Sequence, residues 1–486
     1  MGGRGVSAVE WLPCADRESR WPEVRVVVAG IGASGFAAAD ALARLGARVT
    51  VVDEGEDDPH RAKAAALEAL GAGVRLGPGA ADTLPDTDLV VASPGWRPTA
   101  AVLRDAVARR VPVWGEVELA WRLRGPDPAP WLCVTGTNGK TTTTEMLASM
   151  LRASGARTIA AGNVGTPLLE AVTDPKTYDV IAVELSSFQL HWAYSPAAEA
   201  AVVLNVAPDH LDWHGSLEAY TRDKARIYQR CRVAAVYNVA DRVTETMVRE
   251  ADTAPGCRVL GFTLDVPRPG MLGVIDGVLA DRAFVDDPEE FAAELCPAVD
   301  VRPAGPHNVG NALAAAALAR AYGLTPAAVG AGLRQFEPVA HRVTVLGELD
   351  GVAYVNDSKA TNPHAAAAAL HAYDPVVWIA GGLAKGASFD ELVQQVRERL
   401  RGVVLLGTDR RVIADALARH APEVPLIEVD DGETSIMDRV VREAARMAVP
   451  GDTVLLAPGC ASWDQFANYT VRGDDFAAAA ARLGVR

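Results

Sequence analysis

Cysteine is scarce in this chain. Six occur in 486 residues, at positions 14, 133, 231, 257, 296 and 460. No two stand in C-x-x-C spacing, which leaves neither a zinc ribbon nor a thioredoxin-like motif. Sparse, scattered cysteine fits a reducing compartment, and all six are expected to be small buried hydrophobes. Long apolar runs are missing too: charge interrupts each one well before membrane-spanning length. The opening MGGRGVSAVEWLPCADRESRW has no secretory core, and Val6 stands where a myristoylation signal requires Ser or Thr. Positive charge is in deficit, with 47 Lys and Arg against 62 Asp and Glu and a formal net charge of -15. That balance repels nucleic-acid phosphates and excludes a general nucleic-acid binder. The expectation is a cytoplasmic protein without membrane insertion. Small anionic ligands stay open, because local backbone N–H groups and a few cations hold them regardless of overall charge.

What is present is a normal globular balance, 49% hydrophobic and 22% charged, in a chain long enough for about three domains. Val24 to Gly55 reads as a βαβ unit: a β-branched run, a glycine-rich turn, an Ala/Leu-rich helix and a second strand, Arg48 to Val52, ending at Asp53. A further strand, Asp88 to Ala92, stops at Ser93-Pro94-Gly95, and the first domain is expected to span 1–115, with 1–20 unplaced and open to disorder. The Pro-rich stretch Gly125 to Pro130 precedes a new strand, Trp131 to Thr135. Strands at Val180 to Val183 and Ala201 to Val206 and an Ala-rich helix, Asn308 to Tyr322, fill a central domain of 116–338. Strands at Val352 to Asn356, Val376 to Ala380, Val403 to Leu406 and Thr453 to Ala457 build a third domain of 339–486. Ala365 to Ala369 reads as helix, because Ala is the best helix former. The fold class is α/β, three domains with mostly parallel sheets, Rossmann-like at both ends and P-loop-like in the centre.

Two phosphate-binding patterns stand in one chain. Gly30-Ile31-Gly32-Ala33-Ser34-Gly35 matches G-x-G-x-x-G between strand and helix, and Asp53 ends the next strand near a ribose-reading position. The motif admits a nucleotide phosphate without saying which nucleotide; a nicotinamide dinucleotide is the obvious reading and a ligand-free tight turn the bland one. Thr135-Gly136-Thr137-Asn138-Gly139-Lys140-Thr141-Thr142 is more specific. Backbone N–H groups there can wrap a polyphosphate, Lys140 can reach β/γ oxygens and the Thr141 hydroxyl can ligate Mg²⁺. Val134 takes the place of the usual first glycine. Glu184, ending its strand, is a metal candidate or a solvated strand-end carboxylate. His210 is a ligand candidate or a capped surface residue. Lys224 reads as a solvated helix lysine. A simple dehydrogenase needs no second loop, and a simple ATPase no first one.

Taken together, the motifs resemble the Mur ligase family from about Val24 to the C-terminus. The carrying residues are Thr135 to Thr142, Gly162 to Gly165, Glu184 to Gln189, Asn205 to His210, Lys224, His307-Asn308, His341-Arg342 and Asn356 to Thr361. Ala457 to Phe466, with Asn468-Tyr469 and Arg472-Gly473, looks like the D-glutamate-adding branch; no Asp-Asn-Pro-Arg run of the diamino-acid-adding branch occurs. The resemblance implies ATP-driven ligation of D-glutamate to UDP-N-acetylmuramoyl-L-alanine through an acyl phosphate, in peptidoglycan precursor synthesis, by an enzyme expected to be monomeric. It implies ATP contacts from Gly136, Thr137, Asn138, Gly139, Lys140, Thr141, Thr142, Asn308, Arg342 and Asp357. It implies two Mg²⁺ sites drawing on Thr141, Glu184, His210 and Lys224, the last as a carbamate. Lys140, Glu184, His210 and Lys224 would form the catalytic set. Ser34, Asp53, Glu54, Ser93 and Asn163 would hold the UDP substrate, so the N-terminal domain would bind UDP rather than a nicotinamide. Lys359, Thr361, Lys385, Ser462 and the backbone near Tyr469 would hold D-glutamate. The third domain would close over ATP. Thr141 replaces the family's usual serine and Tyr469 a common phenylalanine. Another amide ligase of the same superfamily is the runner-up, with a nicotinamide-dependent oxidoreductase behind it.

Overall fold

A computed structural model describes residues 10–338, 342–430 and 436–486. The chain divides into two compact units. One comprises Met1–Val206, Glu218–Asp300 and Gly310–Phe336; the other comprises Ala207–Leu217, Val301–Val309 and Glu337–Arg486. His341, one of the residues carrying the resemblance, lies outside the described residues.

The first unit holds two sheets. Strands β1 (Arg25–Ala29), β2 (Arg48–Asp53), β3 (Gly73–Leu76), β4 (Leu89–Ala92) and β5 (Val113–Gly115) form an all-parallel sheet in the order β3-β2-β1-β4-β5. Near-continuous Val runs suit strands covered on both faces. The chain order reverses between β1 and β4, so the crevice at their carboxyl ends is where ligands enter such sheets. The second sheet contains β6 (Trp131–Thr135), β7 (Thr158–Gly162), β8 (Val180–Glu184), β9 (Ala200–Val203), β10 (Ala234–Asn238), β11 (Arg258–Phe262), β12 (Met271–Ile275), β13 (Val278–Asp281) and β14 (Ala293–Pro297). Its order is β14-β13-β12-β11-β10-β9-β6-β8-β7, with the β12–β13 and β13–β14 pairs antiparallel. The helices Glu116–Arg122 and Leu168–Thr173 place Val117, Leu119, Leu168 and Leu169 in one core with residues of both sheets.

That junction is polar as well as apolar. Glu118, fully buried, accepts from Arg122 Nε (2.7 Å), Tyr194 N (2.7 Å), Ser195 N (2.8 Å) and Ser195 Oγ (2.7 Å). Glu116 accepts from Leu169 N at 2.6 Å through Oε1, while its buried Oε2 has no partner among the described residues. Burial pushes the Glu116 carboxyl up to about 7.

The second unit carries β15 (Thr344–Leu349), β16 (Val352–Asn356), β17 (Val376–Gly381), β18 (Leu400–Leu406), β19 (Leu426–Glu428) and β20 (Thr453–Leu456), in the order β15-β16-β20-β17-β18-β19. β15 alone runs antiparallel, on the edge. Helices on the two faces bury separate cores, one around Trp378 and Phe389, the other around Tyr354 and Phe476.

Two expectations about the scaffold need correction. Disorder does not extend to residue 20, because Leu12 and Trp21 are buried in the first core and Trp11 meets Trp21 edge-on at 5.8 Å. Of the six cysteines, Cys14 is exposed and Cys257 half-buried, and only the other four are buried hydrophobes. Among the described residues no helix is long and apolar enough to cross a membrane.

Candidate active site

The site assembles at carboxyl ends of parallel strands, beginning with β6. After Thr135 the chain turns through Gly136-Thr-Asn-Gly139 into the helix Lys140–Ala153. Gly139 caps that helix at φ +84°, and any Cβ there would collide with Asn311 Oδ1. Only glycine satisfies both conditions. The loop is pinned by β9's continuation: Thr137 N donates to Asn205 O (2.9 Å), Asn138 N to Asn205 Oδ1 (2.9 Å), and Asn205 Nδ2 to Asn138 O (3.1 Å). Lys140 Nζ donates to the Gly136 and Thr137 carbonyls at 3.0 and 2.9 Å. Its ammonium therefore lies over the loop that a polyphosphate would occupy.

β8 is hydrogen-bonded beside β6 and ends in Glu184, which is 1% exposed. Asn163, from the loop after β7, donates Nδ2 to Glu184 Oε1 at 2.7 Å. Oε2 is buried and has no partner among the described residues. A desolvated carboxylate oxygen without a donor is costly unless something cationic meets it. Its neighbours include no Lys or Arg hydrogen-bonded to it, so the donor set suits a hard cation such as Mg²⁺.

Lys224 corrects the reading of a solvated lysine. It is 1% exposed, donates Nζ to Gly136 O at 2.8 Å and lies 4.5 Å from the Tyr220 ring centroid. Tyr220 OH in turn meets Thr137 Oγ1 at 3.0 Å. The helix Leu217–Ala225 thus brings a buried amine to the phosphate loop. Lys140, Thr141, Thr142, Asn163, Glu184 and Lys224 all belong to the first unit, within the second sheet's architecture.

The first sheet builds its own crevice. Ala, or anything larger, at Gly35 would drive its Cβ into the Gly30 carbonyl, so the Ala33–Arg44 helix approaches the loop only with glycine there. Ser93 Oγ reaches Gly30 O at 3.4 Å from the end of β4. Asp53 uses Oδ2 to accept from Ile31 N (2.7 Å) and Oδ1 to accept from Gly55 N (2.8 Å). Both oxygens accept from backbone, so Asp53 also fixes the turns that follow β1 and β2. Ser34 is half-buried and Glu54 exposed. Sequence reasoning passed over Lys63, whose Nζ donates to Ile31 O at 3.2 Å from the helix Asp58–Glu68. His60, one turn earlier, sits 3.8 Å from Asp53 Oδ1.

In the second unit, β16, β20 and β17 end side by side, and the loops that follow are laced together. Gly459 N donates to Ala360 O (2.8 Å), and Leu383 and Ala461 exchange two backbone bonds at 2.9 Å. Arg472, 1% exposed, donates to Ser358 Oγ (3.0 Å), Ser358 O (2.8 Å) and Cys460 O (3.1 Å). Ser358 Oγ donates to Tyr469 O at 2.7 Å, and Lys359 Nζ lies 3.9 Å from the Tyr469 ring centroid. These ties gather the loops bearing Lys359, Thr361, Lys385, Ser462 and Tyr469. Asp209 extends the cluster: it lies 3.7 Å from Lys385 Nζ, 3.6 Å from His210 Nε2 and 3.3 Å from Asn362 Nδ2. His210 and Lys385 both hold φ +53°. A non-glycine residue there costs about 1–2 kcal/mol and persists where the surroundings require it. Asp357 is buried, accepts from Val343 N at 3.3 Å, and burial pushes its carboxyl up to about 7 against the pull of Arg342. Asn308, also of this unit, is 3% exposed.

Comparison with known proteins covers the same three segments. The N-terminal domain described as MurD-like is matched over residues 24–115, the Mur ligase middle domain over 134–319 and the glutamate ligase domain of Mur ligases over 341–460. A protein of Streptomyces avermitilis named UDP-N-acetylmuramoylalanine–D-glutamate ligase is 61% identical over 96% of this chain and 100% of its own length. A protein of the same name from Mycolicibacterium smegmatis is 50% identical, over 94% of this chain and 96% of its own. Among solved structures, the UDP-N-acetylmuramate-alanine ligase MurC of Thermotoga maritima aligns with a TM-score of 0.56 at 19% identity, covering 95% of this chain and all of that one. The MurF ligase of Thermotoga maritima, solved with ADP, aligns with a TM-score of 0.55 at 18% identity, covering 97% and 99%. These two likenesses speak to fold alone. On the strength of the sequence matches, which span nearly its whole length, the chain belongs to the Mur ligase family.

Proposed function

We propose that this chain joins D-glutamate to the carboxylate of UDP-N-acetylmuramoyl-L-alanine, with ATP converted to ADP and phosphate. The observation that carries the reading is the phosphate loop flanked by two buried groups of opposite chemistry, Glu184 with an unpartnered oxygen and Lys224 on the Gly136 carbonyl. A carboxylate is a poor electrophile, so it must first be phosphorylated, and two anions must be brought together for that step. The backbone N–H groups of Gly136 to Thr142 wrap the triphosphate. Lys140 holds its β/γ oxygens and offsets the charge that develops in transfer.

Thr141 and Glu184 are the residues that would hold a first Mg²⁺, with Asn163 orienting Glu184. Lys224, as a carbamate, and His210 are proposed as ligands of a second. When bound, Mg²⁺ supplies neutralising charge on the phosphate oxygens. Asn308, Arg342 and Asp357 are proposed contacts to ATP. The glycine loop of the first sheet, with Ser34, Asp53, Glu54 and Ser93, takes the uridine diphosphate, and Asn163 lies toward the reacting end. Lys359 and Lys385 bind the two carboxylates of D-glutamate, with Thr361, Ser462 and the Tyr469 backbone completing the set. Its amine then attacks the acyl phosphate carbonyl and phosphate leaves.

The test is ADP formation from ATP and Mg²⁺ with both acceptors supplied. Turnover is expected with UDP-N-acetylmuramoyl-L-alanine and D-glutamate, and background only with L-glutamate or with either acceptor omitted. Turnover with another amino acid and none with D-glutamate would overturn the assignment.

A further inference from the structure

The amino edge of the second sheet, opposite the phosphate loop, carries a cleft that the ligase chemistry does not use. Trp121, Arg124, Pro128, Pro130, Trp131, Ala197, Glu199 and Arg232 line it, around a cavity of about 250 Å³. Trp131 opens β6, Glu199 immediately precedes β9, and Arg232 stands just ahead of β10. The phosphate loop follows the far end of β6. Five residues of strand, at about 3.3 Å each, separate the two places by about 15 Å. Ligand crevices of open α/β sheets lie at the carboxyl edge, so this cleft is no extension of that site.

Its chemistry is unbalanced. The Arg124 guanidinium carbon stands over the Trp121 ring, 3.1 Å from the centroid, and 5.7 Å from that of Trp131. Nε donates to Trp121 O at 2.8 Å, and the two terminal nitrogens have no acceptor among the described residues. Arg232 shares the cleft with the like charge, and its nearest carboxylate, Glu199, is 3.6 Å away, beyond hydrogen-bond reach. Trp131, at 1% exposed, keeps a buried indole N–H without an acceptor among the described residues. Counting Glu199, one net positive charge remains. Burial, and secondarily Arg232, pulls Arg124 down to about 10. A guanidinium held over an indole ring and by its Nε bond, with its two terminal nitrogens open, is preorganised for an oxyanion.

We propose that this cleft is a second anion-binding site, taking a small organic acid whose phosphate or carboxylate meets Arg124 and Arg232 while its apolar part lies on the indole and proline walls. One of those walls is the linker 125–130 between the first two sheets, so occupancy fastens the linker to the sheet edge.

Phenyl phosphate is the probe, titrated into the full chain and followed calorimetrically, with phenylacetate, inorganic phosphate and phenol as comparisons. Two binding events are expected with phenyl phosphate: one abolished by Lys140→Ala, at the phosphate loop, and one weakened at least tenfold by Arg124→Gln or Arg232→Gln. Arg232 is largely exposed, so its substitution leaves folding intact even if that of Arg124 does not. Phenylacetate binding at the second event identifies carboxylate recognition, inorganic phosphate alone identifies phosphate recognition, and either supports the site. Native-like titration of both arginine variants, or phenol binding as tightly as phenyl phosphate, would overturn it.

Discussion

Replacing Glu116 with glutamine tests the junction between the first two sheets. The carboxyl is buried, gives one oxygen to Leu169 N and leaves the other unpartnered. Its folded value of about 7 stands above an ordinary 4.5, because burial disfavours the charged form. Between those two values the folded chain binds a proton that the unfolded chain has released. Stability from this group is therefore full at about pH 4.5 and below, falls as pH rises toward 7, and is flat beyond. The total loss is about 3 kcal/mol. Glutamine keeps the bond from Leu169 N and cannot ionise. Any fixed cost of its extra N–H is independent of pH, so the quantity to follow is the difference between variant and parent. Thermal unfolding followed by near-UV circular dichroism, in steps from about pH 5 to 8.5 at constant ionic strength, should show the E116Q advantage growing with pH by on the order of 5 °C. Asp357, also raised to about 7, is present in both proteins and cancels. Parallel melting curves across the range would refute the reasoning.

Other expectations follow from single contacts. Asn163→Ala removes the donor that orients Glu184 and should lower kcat/KM about 10- to 100-fold while raising the Mg²⁺ concentration for half-maximal rate; an unchanged Mg²⁺ requirement would show that Glu184 needs no such support. Lys63→Gln withdraws a cation from the first glycine loop and should raise KM for the UDP substrate about tenfold, leaving kcat and the KM values of ATP and D-glutamate alone; an effect confined to ATP would contradict it. Arg472→Ala strips three donors from the Ser358 and Cys460 loops and should cost about 2–4 kcal/mol of stability, with KM for D-glutamate rising more than KM for ATP in steady-state assays.

The sequence resolved those elements whose local pattern and tertiary placement agree. β2, β6, β16 and β17 are largely buried apolar runs entering glycine or polar turns, and their bounds fell within a residue of the reading. β11 to β14 went unread for physical reasons. β11 exposes its first two residues, β12 is half-buried at both ends, and β14 carries an exposed Glu294 and Pro297. No period of two survives on such an edge, where pairing partners rather than local pattern decide strand formation. The two-sheet unit was equally hidden. Glu116 and Glu118 look like ordinary charges in the first turn of a helix, and only the fold reveals that both are buried against segments fifty to eighty residues away.

For the site, the phosphate loop could be read from spacing because its chemistry is carried by consecutive residues. Lys224 could not, because nothing in its own helix distinguishes it from a solvated lysine. Yet one signal was available without any structure. The chain contains only six lysines, at positions 63, 140, 176, 224, 359 and 385, although Lys and Arg together number 47. Arginine serves nearly every surface ion pair here, as at Arg44–Asp40, Arg249–Glu245 and Arg482–Asp438. Where arginine would do, this chain uses it, so a position that keeps lysine is one where a compact, titratable amine on a slender stem is needed and a planar guanidinium is not equivalent. Lys140 and Lys224 curl onto loop carbonyls, Lys359 and Lys385 stand in the strand-end loops of the third sheet, and Lys63 reaches the first glycine loop. Exposed Lys176, in the loop before β8, is the single lysine at none of these places. Lys176→Arg should therefore leave kcat/KM within about twofold of the parent, whereas the same change at Lys224 should abolish turnover, since a guanidinium cannot form the carbamate proposed there. Full activity in Lys224→Arg would remove both the carbamate and the inference from lysine scarcity.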